Sequence, residues 1–338
     1  MHRLNEPGLH RAAPSGGHHL QGFARAEAVI GTAGQAASAG VRTLHLAVPG
    51  ALQDSVSAIV GVEMGETGPV PLAVAPHDSM MLSVQLARGS DAIGPKGEFG
   101  LNTRLTGIRS WTGAFTGAGE CVTLFALLTP LGSVRLLESR QLGASERLRA
   151  PLAALLDEQV TRRLESEVAV AEGLDGKLRA FGAWLEARAS TPRQPGREAM
   201  RAARAAMRLC EAPRAPIQDL ADEQHVSRRQ LERDFDRWLG VSPRHLAQVA
   251  QVQGVARSIF AGATLADAAA ARGFADQSHM TRVVKQLTGV TPRHFVRGRA
   301  PSAGAQAPSV SASIASAFRW ATGGRTVYLG GMARPANA

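Results

Sequence analysis

The sequence predicts an α+β chain: a β-rich, barrel-like domain followed by helices, then an all-α domain built around a duplicated helical unit. Three observations predict it. Between residues 41 and 137 the sequence consists of short apolar runs cut by Gly and Pro, the texture of short strands and turns. From about residue 144 the apolar spacing lengthens to that of helices. Residues 217–299 then carry one residue pattern twice, 49 positions apart.

Taken in order, residues 1–40 are rich in Gly, Ala, Ser and His without a sustained period, and read as a disordered arm. Candidate strands follow at Arg42–Val48, closed by Pro49-Gly50, and at Met80–Ala87, before Gly89. Others are Leu105–Phe115, Cys121–Leu128, closed by Pro130, and Ser133–Leu137. Ser145 is a candidate cap for a helix carrying Leu148, Leu152 and Leu155. Leu174, Leu178, Phe181 and Leu185 make one apolar stripe, which either packs on the β domain or mates two subunits. Residues 41–190 thus form a first domain, and Thr191-Pro192-Arg193-Gln194-Pro195-Gly196 reads as a linker. Residues 197–299 form the second domain. The Ala/Ser/Gly/Pro-rich stretch 300–338 reads as a disordered tail in which Phe318, Trp320, Val327 and Tyr328 are candidate docking residues.

Composition narrows the function. The 338 residues exceed one ordinary core, and 44% are hydrophobic. No run of eighteen apolar residues suggests a membrane span, and the amino-terminal residues lack the apolar stretch of a secretory signal, so the expected location is the cytoplasm. Cys121 and Cys210 are the only cysteines, too few for a disulfide scaffold or a cysteine-rich metal site. Residues 1–196 hold 18 Lys/Arg against 18 Asp/Glu, residues 197–299 hold 17 against 10, and residues 300–338 hold three arginines and no acid. The net charge of +10 therefore lies in the last two-fifths of the chain, which points that part at a polyanion. Only three of the 38 basic residues are lysine, so an arginine-rich proteome is the bland alternative.

In the repeat, Leu239-Gly240-Val241-Ser242-Pro243-Arg244-His245-Leu246 matches Thr288-Gly289-Val290-Thr291-Pro292-Arg293-His294-Phe295. The same offset pairs Ala221 with Ala270, Leu231 with Met280, Arg233 with Arg282, Phe235 with Val284 and Trp238 with Leu287. Ala221 and Ala270 are small where two helices cross, and the apolar pairs form the inner stripe of a second helix. Gly240 and Gly289 suit a left-handed helix end. Ser242 and Thr291 suit the next cap, with Pro243 and Pro292 at the first helical position. Each copy is a short helix, a turn (His225-Val226, then Gly273-Phe274) and a longer helix capped by Ser227 or Asp276, which is a helix-turn-helix. Between them, residues 243–261 suit one connecting helix of about 28 Å, near the ~34 Å between successive major-groove faces on one side of a duplex.

The outer faces of the longer helices are rich in donors. The first presents Ser227, Arg228, Arg229, Gln230 and Arg233; the second presents Gln277, Ser278, His279, Thr281, Arg282 and Lys285. Arg reads guanine and Gln reads adenine, while Ser, Thr, Arg and Lys also hold phosphates. Double-stranded DNA is the expected partner. Arg228, Arg229 and Gln230 are the candidate base readers of the first unit, with Gln277, Ser278 and His279 in the second. Arg233 and Arg282 suit backbone contacts or the turn. Glu232, Asp234 and Asp236 suit a solvated far side of the first helix.

These residues resemble the AraC/XylS family of bacterial transcription regulators. The resemblance rests on Leu231-Glu232-Arg233-Asp234-Phe235, on Gly240-Val241-Ser242-Pro243, and most closely on Gly273-Phe274-Ala275-Asp276-Gln277-Ser278-His279-Met280-Thr281-Arg282 with Gly289-Val290-Thr291-Pro292. It covers about 85 residues. It implies a seven-helix module with two helix-turn-helix units behind a variable domain for effector binding or dimerisation, and an activator in contact with RNA polymerase. A small-molecule effector and a homodimer are partners the resemblance admits. Three departures stand out: Gln251 where such families carry Arg, Gly254 within the connecting helix, and Met280, Val283 and Val284 in place of a more aromatic pattern.

The rival readings are few. A cupin-type metal enzyme needs converging histidines and a carboxylate, whereas His45 and His77 stand alone and His18-His19 lies in the arm. A methyl-accepting DNA-repair protein needs a cysteine cluster that two isolated cysteines do not make. An architectural DNA binder without an effector remains the main alternative. No cofactor, catalytic residue, metal ligand or membrane contact is expected, and the chain does not read as an enzyme.

Overall fold

A computed structural model describes residues 30–32, 41–65, 70–74, 78–88, 99–107, 113–117, 120–137, 150–191, 194–288 and 291–293. The tail and most of the arm lie outside the described residues. So do Ser145, Leu148, His77 and, from the second Gly-Val-Thr-Pro stretch, Gly289 and Val290.

The first domain is antiparallel sheet followed by helices. Its strands are β1 (Ile30–Thr32), β2 (Val41–Leu46), β3 (Val56–Met64), β4 (Val70–Val74), β5 (Met80–Arg88), β6 (Phe99–Thr106), β7 (Gly113–Gly117), β8 (Cys121–Leu128) and β9 (Ala150–Pro151). Seven of them form one sheet in the order β1-β2-β3-β8-β5-β6-β9, and β4 pairs with β7 separately. Among the described residues no pairing closes that sheet into a barrel. β1 departs from the expected arm, since Ile30 lies opposite Leu46 and Thr32 opposite Leu44. The run expected at Leu105–Phe115 straddles the end of β6 and the start of β7, which belong to different sheets.

Sequence periodicity misplaces two helices. Ser133–Leu137 is not a strand but part of helix α1 (Pro130–Leu136). Thr129 caps it, its Oγ1 accepting from the Gly132 N–H at 2.9 Å, with Pro130 at the first helical position. Leu152 and Leu155 fall in and after a short 3-10 turn, and the next helix, α2 (Glu158–Val170), starts at a cap made by Asp157.

Helix α3 (Gly173–Ser190) buries Leu174, Leu178, Phe181 and Leu185 against β2, β3 and β8, so the stripe packs on its own domain. Close approach explains Gly182, where a Cβ would lie 2.3 Å from a Leu46 methyl. Arg188, buried at the end of α3, donates from Nε and Nη2 to the Leu136 carbonyl at 3.0 and 2.6 Å. That fixes the carboxyl end of α1, which matters because α1 is the face offered to the second domain.

The second domain comprises α4 (Arg197–Glu211), α5 (Ile217–Glu223), α6 (Arg228–Leu239), α7 (Pro243–Phe260), α8 (Leu265–Ala271) and α9 (Gln277–Thr288). Its apolar residues divide between two cores. Leu209, Leu220, Leu231, Phe235, Leu239 and Leu246 join the core of the sheet domain, whereas Val252, Val255, Ile259, Phe274, Met280, Val284 and Leu287 make a separate one. No described helix is long and apolar enough to cross a membrane.

Candidate nucleic-acid interface

Each unit is built from its backbone outward. In the first, α5 ends in a turn where His225 takes a positive φ of 54°; in the second, α8 ends where Gly273 takes 71°. The Val226 N–H donates to the Ala221 carbonyl and the Phe274 N–H to the Ala269 carbonyl, both at 3.0 Å. Up to the turn, then, the two units are related by 48 residues rather than 49, and only beyond it by 49. The difference is one extra residue, Ala275, before the cap of α9. Ala221 is accordingly matched by buried Ala269; Ala270, the expected partner, is exposed.

Beyond the turn the match is close. Ser227 Oγ accepts from the Gln230 N–H at 3.2 Å, and Asp276 Oδ1 accepts from the His279 N–H at 2.7 Å. Leu231 and Met280, Phe235 and Val284, and Leu239 and Thr288 are buried, while Arg233 and Arg282 are exposed. Gly240 takes a left-handed φ of 73° and ends α6 as expected. Helix α7 runs unbroken from its Ser242 cap through Gly254 for 18 residues, about 27 Å.

The outward faces differ in wiring. On α6, Arg228 Nε donates to Glu232 Oε1 at 2.9 Å, Gln230 Nε2 donates to Asp234 Oδ1 at 2.8 Å, and Arg233 Nη2 donates to Gln230 Oε1. Asp234 is not solvated: it is 2% exposed and accepts from Arg201 of α4 at 2.6 Å. Gln230 is half-buried and donates to this structural carboxylate. Ser227 is exposed but spends its oxygen on the cap. Arg229 is exposed and has no hydrogen-bond or ion-pair partner among the described residues.

On α9 no acid occurs. Gln277, Ser278, Arg282 and Lys285 are exposed and Thr281 half-buried, and the side chains of all five lack partners among the described residues. The His279 ring is exposed and meets Phe274 edge-on, centroids 5.5 Å apart. At matched positions α6 carries exposed Asp236 and α9 exposed Lys285. The second face is therefore the more open to an anionic backbone.

The departures at α7 belong to the junction of the units. Gln251 Nε2 donates to the Arg272 carbonyl at 3.3 Å, and Arg272 Nε donates to Ser258 Oγ at 3.2 Å. A Cβ on Gly254 would sit 3.0 Å from Arg272 Cδ, so the glycine seats that side chain rather than interrupting the helix. Asp78, at the entrance to β5, faces Arg257 of α7 electrostatically. Burial raises the Asp78 carboxyl, and Arg257 draws it back. Burial lowers Arg257, with Asp78 opposing and Arg272 reinforcing that shift. The Cys210 thiol beside them is pushed well up, first by burial and then by Asp78.

Elsewhere, His45 is buried in β2 and its imidazole is pushed down by desolvation. Among the described residues no group of three or more His, Cys, Asp or Glu is placed to hold a metal ion.

Two helix-turn-helix units on one connecting helix, each with a polar outer face, define a DNA-binding domain. Residues 220–298 match the family model described as "Helix-turn-helix domain". That segment is an AraC-type helix-turn-helix domain, and through it the chain is a DNA-binding transcription regulator. No curated protein matches the chain by sequence. Among solved structures, ToxT from Vibrio cholerae O395 is similar at TM-score 0.36 and 14% identity, over 70% of this chain and 95% of that one. Unsaturated fatty acid bound wild-type ToxT from strain SCE256 gives 0.34 and 13%, over 68% and 91%. ToxT bound to (E)-4-(8-methylnaphthalen-1-yl)but-3-enoic acid gives 0.37 and 13%, over 76% and 98%. At that identity and overlap the likeness carries no argument about ligand or mechanism in this chain.

Proposed function

We propose that this protein is a sequence-specific transcription activator whose two units read adjacent major grooves of one duplex, in response to an effector bound by the sheet domain. The observation that carries the reading is the matched burial of α6 and α9, which turns inward the same positions of both and leaves donors outward. Arg229 is the foremost base reader of the first unit, with Arg228 beside it. Gln230 joins only by leaving Asp234. Gln277, Ser278 and His279 read bases in the second unit, while Thr281, Arg282 and Lys285 hold phosphates, as do Ser227 and Arg233 in the first. The ~27 Å of α7 sets the spacing, short of one full helical turn of DNA, so the duplex bends or the units splay to meet it.

The continuous core between the sheet domain and the first unit supports an effector role, because a ligand that reshapes that core biases how the units sit. RNA polymerase and a second copy of the chain are the partners this reading adds. Binding of the full-length protein to a pool of random-sequence duplexes tests it. Enrichment of a two-part motif with half-sites about 10 base pairs apart is expected. Enrichment of nothing, or of a single short motif, overturns the two-groove reading.

A further inference from the structure

A line of hydrogen bonds crosses the first unit from its support to its outer face. Asp234 is 2% exposed and divides its oxygens between two neighbours: Oδ2 accepts from Arg201 of α4 at 2.6 Å, and Oδ1 accepts from Gln230 Nε2 at 2.8 Å. Gln230 Oε1 in turn accepts from Arg233 Nη2. The line thus runs from α4, through a buried carboxylate and a half-buried amide, to an exposed guanidinium. In the second unit the matched residues are Val283, His279 and Arg282, and the Arg282 side chain has no partner among the described residues.

The chemistry of these groups gives the line its direction. A carboxylate only accepts, so the Gln230 amide turns its NH2 group inward and its oxygen outward. That oxygen is satisfied by Arg233, whose guanidinium only donates. Arg233 lies three positions beyond Gln230, so the bond draws its long side chain back along α6 toward the amino-terminal turn. We infer that Asp234 is a positioning residue for Arg233, acting through the Gln230 amide, so that Arg201 sets where α6 presents this guanidinium to DNA. The inference deepens the proposed reading of α6 and rests on it. It also gives Gln230 a duty other than base reading, because the wired amide lacks the free donor that adenine requires. Ala199 and Ala203, on the helix that carries Arg201, pack with Val134 of α1, so the helix that holds the carboxylate is one the sheet domain touches.

Full-length variants, titrated with a duplex enriched from a random-sequence pool and with random duplex, test it. Gln230→Met keeps the length of the side chain and the pair of Arg201 with Asp234 but unties Arg233. It is expected to weaken binding to both duplexes on the order of fivefold, equally so in an Arg282→Ala background, and to have no effect in an Arg233→Ala background. Asp234→Asn turns the line round. Its oxygen still accepts from Arg201, but its NH2 group draws the Gln230 oxygen inward and leaves a donor facing Arg233. A similar loss is expected. Adding Gln230→Glu to Asp234→Asn returns an acceptor to Arg233 and should recover most of that loss, even though the new charge opposes DNA. A purely structural role for Asp234 gives no such recovery. The inference is overturned if the Gln230→Met loss persists in the Arg233→Ala background, if it is confined to the enriched duplex, which would make Gln230 a base reader, or if there is no loss. A folded double variant that recovers nothing overturns it too. Should Asp234→Asn fail to fold, the Gln230→Met cycle decides alone. If wild type binds no duplex, the DNA reading fails. NMR relaxation of the Arg233 side chain then decides whether the line holds it: Gln230→Met loosens it if so, and an unchanged side chain overturns the inference.

Discussion

The first and second helix-turn-helix units bury the same positions and turn the same way, yet they are stabilised by different means. The first leans on the sheet domain, and its outward face is partly wired, Arg228 to Glu232 of its own helix, Arg233 to Gln230 and Arg237 to Glu198 of α4. Trp238 extends this dependence: it packs against the cluster of Val134 of α1 with Ala199 and Ala203 of α4, while its counterpart Leu287 stays inside its own unit's core. The second unit keeps a private core and an outer face without acids. Duplication evidently preserves backbone and burial while leaving support and surface charge free to diverge.

The largest expected effect separates the two cores. Phe235→Ala should cost about 3–5 kcal/mol and lower hydrogen-exchange protection in α6 and in the sheet strands together. Met280→Ala should cost about 2–5 kcal/mol, with lost protection confined to α7–α9. Equal loss in the sheet after Met280→Ala would show the cores to be one. Next comes the ion pair special to the first unit. Arg201→Ala strands the carboxylate of Asp234 and should cost about 3 kcal/mol in chemical denaturation. No such pair exists at the matched position of the second unit, where Val283 stands.

On DNA, Arg229→Ala should cost about 1–3 kcal/mol on the specific duplex and relax preference at one or two base pairs. Arg282→Ala should weaken specific and random duplexes alike, and a titration showing the reverse would exchange the roles of the two helices. Raising salt from about 50 to 200 mM should lower affinity on the order of 10³-fold if about six phosphates are contacted. The smallest effects lie in the turns. Gly273→Ala should cost about 1–2 kcal/mol of thermal stability, since φ is positive and Arg214 occupies the space. His225→Gly, at the same left-handed position of the first unit, should raise stability by up to about 1 kcal/mol.

Local signals carried well from the sequence. The caps Ser227, Ser242 and Asp276, the left-handed Gly240, the α3 stripe and the inner faces of α6 and α9 are all set by neighbours a turn or less away. What was not legible depends on distant chain. Ser133–Leu137 has the composition of a strand, and only the cap at Thr129 and the packing of α1 on α4 make it helical. Asp234 looks solvated until Arg201, thirty-odd positions upstream, is brought against it. The extra Ala275 is hidden because the alanine run at residues 268–271, before the turn, lets offsets of 48 and 49 both match Ala221. The central strand β3 escapes notice because it is buried on both faces, one of them under α3, and so reads as a nearly unbroken apolar run, without the alternation of a half-exposed strand.

The linker at residues 191–196 is a seam in the sequence, yet the helices after it share a core with the sheet domain. Severing the chain there would bare Ala199, Met200, Ala203 and Trp238, which α1 normally covers, and the liberated carboxyl-terminal piece would be sticky before it was anything else. A soluble miniature of this regulator is better sought either by retaining α1 or by replacing that seam-facing patch with polar residues. Its behaviour in solution would then report on the reading helices and not on an amputation wound.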